Sequence, residues 1–365
     1  MNNRTERDRR KRLAVLHREL RRRRVASLLV IDPVDIRYLI GFTGDSSWLL
    51  VWNGKPCLVT DSRFSEQAER ECRNIAIKVR RDSLLRALAE VLRQRRIRSL
   101  GFEPAGVSVS LRSQMRKGLK NVRLVPVGGL VRAMGVRKDE SELRAIRKAV
   151  RAAEKAWREF RKRIRPGMTE QRLAAELDYQ MRLAGAESEA FPTILAVDAN
   201  ASMPHARPGT KRLRRGSVLL VDFGAKVDGY VCDLTRVLWT GRIPAHIRRI
   251  YDVVLKAQAA AIAKVKPGAA LADVDAAARD VIEAAGFGKA FTHGTGHGVG
   301  RRVHEAPWLR KGIKGRLEPR MVVTIEPAVY VKGRFGIRIE DDVLVTKTGH
   351  RVLTHVEKDP ASMAL

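Results

Sequence analysis

The sequence predicts a mixed α/β (α+β) protein of two domains, the second of which is duplicated internally. Strand-like and helical patterns alternate over the first 130 or so residues, which indicates one small domain. The rest contains two matching segments, 101 positions apart, that each start with a basic residue before Pro-Gly and end at a glycine. Each copy is followed by a strand–turn–strand pattern. We therefore expect a first domain at residues 1–132 and a second, with a pseudo-twofold repeat, at residues 138–360.

The first domain begins with an amphipathic helix and continues with short buried strands. Leu13, Leu16 and Leu20 recur at helical spacing between charged residues over positions 5–23. Apolar, β-branched runs then predict strands, and a leucine-rich run at 84–92 predicts a helix. The predicted strands lie at 25–31, 48–52, 56–60, 99–102 and near 122–125. The stretch 128–138 is interpreted as a linker.

The second domain opens with a long helix and then shows the repeat. Asp139 followed by Glu142 is a capping-box signal, and an apolar stripe follows it at helical spacing. The repeated helices begin at residues 165 and 266 and end at Gly185 and Gly286. Their apolar faces match position by position, pairing Leu173 with Val274, Leu177 with Ala278, and Met181 with Ile282.

The central feature of the sequence is a hairpin at residues 218–238. Two apolar runs flank Asp228-Gly229, a dipeptide favoured in two-residue hairpin loops because both residues adopt positive φ. With that loop, Asp222 lies opposite Thr235 and diagonal to Asp233, so the two carboxylates share one face of the sheet. Acids that converge in an apolar hairpin repel each other and are costly to desolvate. The pattern therefore predicts a cation between them, and a metal ion is the obvious candidate.

The second copy repeats this arrangement of acids. A hairpin centred on Gly333 places Glu326 directly opposite Glu340, again on one face. A glycine-rich segment between the hairpins supplies three histidines, His293, His297 and His304. Four carboxylates and an imidazole suit divalent ions such as Mn²⁺, Co²⁺, Fe²⁺ or Zn²⁺, and four negative charges balance two dications. The residues therefore predict a centre that holds two metal ions.

The composition is that of a globular chain with an unusual charge. Lys and Arg number 72 against 40 Asp and Glu, which gives a net charge of +32 over 365 residues. The basic residues are spread along the chain, aromatic residues are only 5%, and no nucleic-acid motif is present, so we expect no specific nucleic-acid partner. Three cysteines follow no disulfide or zinc-finger spacing, and no apolar run approaches a membrane span. These features predict a cytoplasmic protein without membrane contact.

The motifs around these acids and histidines resemble those of the pita-bread metallopeptidases, a family that includes Xaa-Pro aminopeptidases, Xaa-Pro dipeptidases (prolidases) and methionine aminopeptidases. The resemblance covers essentially the whole chain and implies a smaller N-terminal domain similar to that of creatinase and prolidase. The segments that carry it are Val221-Asp222-Phe223-Gly224-Ala225, Gly229-Tyr230-Val231-Cys232-Asp233-Leu234-Thr235-Arg236, His293-Gly294-Thr295-Gly296-His297-Gly298-Val299-Gly300, Val303-His304-Glu305-Ala306-Pro307, Thr324-Ile325-Glu326-Pro327 and Gly336-Ile337-Arg338-Ile339-Glu340-Asp341-Asp342.

The resemblance implies a ligand set and an ion. Two divalent ions, with Mn²⁺ favoured over Co²⁺, Zn²⁺ and Fe²⁺, would be held by five residues. The implied ligands are Asp222, Asp233, His297, Glu326 and Glu340. Of these, Asp233 and Glu340 would bridge both ions. The ions would activate the water that attacks the scissile carbonyl carbon.

The same resemblance implies catalytic and substrate-binding roles. Glu326 would relay a proton from the attacking water to the leaving nitrogen, and His304 would hydrogen-bond the carbonyl oxygen as charge develops on it. His205 would position the substrate. His293 would lie next to the metal ligands and bind the substrate. Arg338 would orient the acids or bind the substrate.

Among the activities of this family, the N-terminal domain favours the proline-specific branch over the methionine aminopeptidases. Some prolidases carry an arginine directly after His-Glu-x-Pro, where it grips the carboxylate of a dipeptide, whereas this chain has Trp308 there. Arg310 or Arg338 could substitute for that arginine. We favour a homodimeric Xaa-Pro aminopeptidase acting on short proline-containing peptides, with Xaa-Pro dipeptidase as the alternative. Metal-free binding modules and creatine hydrolases of this fold are disfavoured because all five ligands are present.

Overall fold

The computed structural model describes residues 3–365 and divides into two compact units. One unit ends at Met134, and the other runs from Gly135 to Leu365. The first unit buries its apolar residues in two clusters and the second buries them in one. Among the described residues, none of the helices combines the length and apolar character that a membrane crossing requires.

The first unit is built on a six-stranded mixed sheet with helices on it. The helices are α1 (Asn3–Arg22), α2 (Pro33–Ile40), α3 (Ser65–Glu71), α4 (Leu84–Gln94), α5 (Val109–Gly118) and α6 (Leu130–Met134). The strands are β1 (Ser27–Val30), β2 (Trp48–Trp52), β3 (Cys57–Thr60), β4 (Ala76–Val79), β5 (Ser99–Phe102) and β6 (Arg123–Pro126). The strand order is β4-β3-β2-β1-β5-β6, with β1 antiparallel to β2 and parallel to β5.

Both faces of this sheet are covered, which is why its strands appear in the sequence as continuous apolar runs. Along β1, Leu28 and Val30 belong to one apolar cluster, whereas Leu29 belongs to the other. The five predicted strands and the helices at 5–23 and 84–92 are confirmed, with ends shifted by a few residues. Strand β4 and helices α2, α3 and α5 were not predicted.

The prediction of a linker at 128–138 is wrong in part. Residues Leu130–Met134 form helix α6, and the side chains of Leu130 and Val131 are buried in a core cluster of the first unit. The two glycines before the helix, one with a positive φ of 61°, gave the stretch the appearance of a linker. The apolar run that follows them is too short for a helical period to be visible.

The second unit contains the predicted repeat. Its helices are α7 (Glu140–Arg161), α8 (Glu170–Leu183), α9 (Ala245–Lys264) and α10 (Leu271–Ala284). Its strands are β7 (Ser188–Glu189), β8 (Ile194–Val197), β9 (Val218–Phe223), β10 (Ala225–Val227), β11 (Tyr230–Val231), β12 (Leu234–Trp239), β13 (Gly296–Gly298), β14 (Glu305–Leu309), β15 (Val322–Ile325), β16 (Ala328–Val331), β17 (Phe335–Arg338), β18 (Asp341–Val345) and β19 (His350–Val352).

The two copies match in backbone detail. Helices α8 and α10 both have 14 residues, and the glycines after them, Gly185 and Gly286, have φ of 97° and 87°. The turn before α8 donates from the Gly167 N–H to the carbonyl of Leu213, and the turn before α10 repeats this bond from Gly268 to Leu317. Asp139 and Glu142 form the predicted capping box at the start of α7.

Both predicted hairpin registers are confirmed. Asp222 pairs with Thr235, and Asp228-Gly229 forms the loop with φ of 53° and 79°. In the second hairpin, Ala328 pairs with Arg338 on one side of the acids and Ile325 with Asp341 on the other. This single register places Glu326 across from Glu340.

Each hairpin is interrupted where its acids lie. The first breaks between β9 and β10 at Gly224 and between β11 and β12 at Cys232-Asp233, and the second breaks around Glu326 and Glu340. A Cβ on Gly224 would lie 1.9 Å from the carbonyl oxygen of Cys232, so only glycine permits this approach of the two strands. The interruptions leave the carboxylates at the points where each ladder changes from one sheet to another.

Candidate functional site

A cavity of about 890 Å³ lies in the second unit. Every residue that the sequence assigned to the site lines it, including residues from both hairpins and from the glycine-rich segment. These nine residues are Asp222, Asp233, His297, Glu326, Glu340, His205, His293, His304 and Arg338. Residues up to 135 positions apart in the chain thus meet in one place.

Three of the predicted ligands form a compact cluster. Asp233, His297 and Glu340 are buried, and each offers one ligand atom within 4.8 Å of the others. Glu326 adjoins this cluster, since its Oε1 lies 3.3 Å from Nε2 of His297. Asp222 is held to one side, where its Oδ2 accepts a hydrogen bond of 2.6 Å from Nη2 of Arg338. The cavity floor therefore carries four carboxylates and one imidazole.

The carboxylates of this floor are costly in the absence of a cation. Burial raises the pKa of Asp233 well above its ordinary value, and the charges of Glu340 and Asp222 raise it further. Burial and the charges of Glu326 and Asp222 raise the pKa of Glu340 in the same way. Among the described residues, Oδ1 of Asp222 and Oδ1 of Asp233 are buried with no hydrogen-bond partner. Buried carboxylate oxygens without donors, beside an imidazole, fit divalent metal ions.

Glu326 differs from the other acids because it adjoins His297. Burial acts to raise the pKa of Glu326, but the hydrogen bond and charge of His297 outweigh it and lower that pKa to about 2. Burial acts to lower the pKa of His297, and the hydrogen bond and charge of Glu326 raise it above its ordinary value. Glu326 is therefore the carboxylate of the floor that stays ionised most readily.

Close backbone packing orients His297 toward the acids. A Cβ on Gly296 would lie 1.9 Å from the carbonyl oxygen of Thr324, so glycine is required next to the histidine. Nδ1 of His297 lies 3.1 Å from the carbonyl oxygen of Gly298. A proton on Nδ1 satisfies that carbonyl and leaves Nε2 free to act as a ligand. Asp275 fixes the start of the segment by accepting from the Thr295 N–H at 2.9 Å.

Neighbouring residues fix the acids by hydrogen bonds. The sequence analysis did not assign a role to most of these residues. Thr235 donates from Oγ1 to Oε2 of Glu340 at 2.6 Å and accepts from Nε of Arg338 at 3.0 Å. Oδ2 of Asp342 accepts from the Asp233 N–H at 3.1 Å. The predicted register, which sets Thr235 opposite Asp222, was the available signal for Thr235.

A buried ion-pair network lies behind Glu340. Arg236 is fully buried and donates to the carbonyl of Glu340 at 2.6 Å and to Oδ1 of Asp341 at 2.7 Å. Asp341 also accepts from Thr354 at 2.7 Å and pairs with Lys358 at 2.5 Å. Asp341 is thus a structural partner of Arg236, Thr354 and Lys358, and the network fixes the backbone at Glu340.

The remaining histidines occupy different positions on the cavity wall. His304 is exposed to the cavity, and its ring centroid is 4.4 Å from that of His297. Partial desolvation of the ring and the charge of His297 lower the pKa of His304. His205 is also exposed on the wall. Both ring nitrogens of His293 have protein partners, because Nδ1 lies 2.7 Å from the Gly294 carbonyl oxygen and Nε2 lies 3.1 Å from the Tyr330 hydroxyl. His304 and His205 therefore have free access to a ligand, and His293 has less.

Arg338 is buried and engaged on all sides. It contacts Asp222, Thr235 and the Tyr330 hydroxyl through its guanidinium nitrogens. Burial raises the pKa of Tyr330 to about 12, so its hydroxyl stays protonated between Arg338 and His293. Of the two roles considered for Arg338, these contacts favour orienting the acids.

Mn²⁺ binding at this site is expected to strengthen as the pH rises. The raised pKa values of Asp233 and Glu340 mean that, when no ion is bound, these carboxyls keep their protons to a higher pH than ordinary acids do, and an ion must displace any proton that is present. Displacement of one proton per ion changes the affinity about tenfold per pH unit. Calorimetric titration of metal-free protein with MnCl₂ at several pH values, in buffers of different ionisation enthalpy, measures both the affinity for Mn²⁺ and the number of protons released per ion. An affinity independent of pH, with no proton release, would contradict this expectation.

Two family models match the chain. The model of Metallopeptidase family M24 matches residues 144–347, and the model of the Creatinase/Prolidase N-terminal domain matches residues 12–135. The first match contains all of the predicted site residues.

Individual relatives match over nearly their whole length. The uncharacterized peptidase YqhT of Bacillus subtilis is 35% identical, over 92% of this chain and 95% of its own. The solved structure of the X-Pro aminopeptidase from Thermotoga maritima is 32% identical with a TM-score of 0.87, over 92% of this chain and 97% of its own. The solved structure of the Xaa-Pro dipeptidase from Bacillus anthracis is 31% identical with a TM-score of 0.93, over 98% of this chain and 100% of its own.

Proposed function

The chain belongs to metallopeptidase family M24, and from this premise we propose that it is a Xaa-Pro aminopeptidase, which removes the first residue of short peptides whose second residue is proline. Membership of the family makes it a metallo-exopeptidase. Along the chain, a creatinase/prolidase-like first domain is followed by a pita-bread second domain. The observation that carries the proposal is the convergence of four carboxylates and His297 on one cavity floor, with buried carboxylate oxygens that have no donor among the described residues.

The proposed ligands are the five residues of the floor. Asp222, Asp233, His297, Glu326 and Glu340 would hold two divalent ions, Mn²⁺ by preference. When bound, such ions polarise the scissile carbonyl and lower the pKa of water so that it attacks at neutral pH. The donor set of hard oxygens with one imidazole supports Mn²⁺ among these ions.

The chain's own contribution to the proposed reaction is proton transfer and positioning. Oε1 of Glu326 would take a proton from the attacking water and deliver it to the leaving proline nitrogen. In the metal-free protein its pKa is about 2, so the side chain is ionised at neutral pH, which is the form that can accept a proton. The exposed ring of His304, beside His297, would donate a hydrogen bond to the carbonyl oxygen as charge develops there. His205 and His293 would position the peptide, and Arg338 would fix Asp222.

The aminopeptidase assignment is preferred to the dipeptidase assignment on one observation. Trp308 lines the cavity with 41% of its surface exposed and stacks on His304, with ring centroids 6.2 Å apart. An indole at this place offers no charge to a dipeptide carboxylate and provides an apolar wall for a longer peptide. The alternative, Xaa-Pro dipeptidase, is favoured by the high TM-score to the enzyme of that name from Bacillus anthracis.

The proposal is tested by assaying the Mn²⁺-loaded protein with Ala-Pro and with Ala-Pro-Ala. We expect release of alanine from both peptides, with the higher kcat/KM for the tripeptide. Cleavage of the dipeptide alone would replace the proposal with a prolidase. No cleavage of either peptide by a protein with full metal content would reject both functions. Sedimentation of the loaded enzyme checks the homodimer, which we propose on the sequence resemblance.

A further inference from the structure

Three cations on the cavity wall have no partner of their own. Arg207, Arg310 and Lys311 line the cavity and are exposed, and their side chains have no hydrogen bond or ion pair with any residue that the structure describes. The other two arginines of the wall are neutralised, since Arg279 pairs with Asp275 at 3.1 Å and Arg338 pairs with Asp222 at 2.6 Å. The cavity therefore presents three uncompensated positive charges.

The position of Arg310 is fixed by the segment that carries the histidines. Strand β14 ends at Leu309, which pairs with Gly296, the residue directly before His297. A Cβ on Gly294 would lie 2.9 Å from Cβ of Arg310, so the backbone at Arg310 packs directly against that glycine. Lys311 follows it in the chain. The third cation, Arg207, comes from a different segment and lies two residues after His205.

The charge of the cavity is thus divided between its floor and its wall. The floor carries Asp222, Asp233, Glu326 and Glu340, whose four negative charges two bound dications would balance. The three cations of the wall have no counterion among the described residues. A peptide in this cavity is therefore attracted by the wall through its carboxylates and repelled through its ammonium groups. This polarity favours entry with the N-terminus toward the floor and the C-terminal end toward the wall.

We propose that Arg207, Arg310 and Lys311 form a carboxylate-recognition site that selects peptides carrying negative charge on the C-terminal side of the proline. The chemistry recognised is the carboxylate, whether it belongs to the C-terminus or to an acidic side chain. Three free cations exceed the charge of one terminal carboxylate, so peptides with an additional Asp or Glu after the proline are the preferred class. The inference rests on the proposed function, because it assumes that the scissile bond lies at the floor.

The test compares peptides of one length on the Mn²⁺-loaded enzyme. The peptides are Ala-Pro-Ala-Ala, its C-terminal amide, Ala-Pro-Glu-Ala and Ala-Pro-Lys-Ala. We expect kcat/KM to fall in the order Glu, Ala, Lys at the third position, by about 2- to 5-fold per charge, as exposed ion pairs give. The preference should shrink in about 1 M salt, where the Debye length is about 3 Å. A loss on amidation indicates recognition of the C-terminus, and a gain with Glu indicates recognition of the side chain.

The triple variant Arg207→Gln, Arg310→Gln, Lys311→Gln is expected to cleave the Glu, Ala and Lys peptides at similar rates. Lys314→Gln is the matched control, because Lys314 is exposed in the same segment but does not line the cavity, and it should keep the wild-type preference. Equal cleavage of all peptides by the wild type, or an unchanged preference in the triple variant, would refute the carboxylate site and leave the proposed function intact. Cleavage of none of them would reject the proposed function itself.

Discussion

Replacement of Glu326 by Gln is expected to lower kcat/KM by about 10²- to 10⁴-fold, which is the range that loss of a general base produces. An amide cannot accept a proton at the position of Oε1, although it keeps the shape of the side chain. In the metal-free protein the hydrogen bond and charge of His297 lower the pKa of Glu326 to about 2, so the side chain is ionised at neutral pH. The loss should appear mainly in kcat at saturating Mn²⁺ and be measured with Ala-Pro-Ala as substrate.

The fold should survive this substitution. Glu326 raises the pKa values of Asp233 and Glu340 through its charge, so removing that charge relieves repulsion within the floor. We therefore expect the melting temperature of the metal-free variant to stay close to that of the wild type. Glu318→Gln is the matched control, because Glu318 is exposed and, in the part of the chain that the structure describes, its side chain pairs with Arg137 alone, at 3.1 Å. Near-normal turnover by the Glu326 variant would remove the proton-relay role from this residue.

Replacement of Arg236 by Met is expected to lower the free energy of unfolding by about 3–5 kcal/mol, as when one partner of a buried ion pair is removed. Arg236 is fully buried, and its guanidinium donates hydrogen bonds to Asp341 and to the carbonyl oxygens of Glu340 and Val356. Met fills much of the same volume but removes the donor that these three acceptors share, and Asp341 keeps its bonds to Thr354 and Lys358. Denaturant unfolding of the metal-free protein, followed by circular dichroism, measures the loss.

The pH dependence and a second substitution identify the cause of this loss. Burial acts to raise the pKa of Asp341, but the charges of Arg236 and Lys358 outweigh it and hold that pKa below its ordinary value. The ion pair therefore stabilises the fold at neutral pH, and its contribution is lost as the pH falls through the pKa of Asp341. Adding Asp341→Asn to the Met variant should recover part of the loss, because it removes a buried carboxylate charge that has lost Arg236 and is left beside the partly exposed Lys358.

An exposed pair provides the control for this experiment. Arg248 pairs with Asp252 at 3.0 Å on the surface of α9, and Arg248→Met should cost less than about 1 kcal/mol. A loss of similar size for Arg248 and Arg236 would show that the buried network has no special importance. Reduced Mn²⁺ affinity of the Arg236 variant would further indicate that the network positions Glu340.

The sequence alone determined the local geometry of the site. Asp228-Gly229 fixed the first hairpin register because few residues adopt positive φ at two successive positions. The period of two along each strand then decided which acids share a face, and the 101-residue spacing revealed the repeat. These properties depend on neighbouring residues in the chain, which is why they could be predicted without a structure.

The tertiary structure alone decided how charges from distant segments combine. No local pattern distinguishes Arg236, which is buried against Asp341, from the exposed members of the 72 basic residues. Arg338 was singled out only by the family resemblance, and the structure adds that it pairs with Asp222. The sequence likewise does not show that Arg207 and Arg310 line one cavity, although they lie about 100 positions apart. Burial and charge pairing are set by packing between elements far apart in the chain, and no local period or turn residue encodes them.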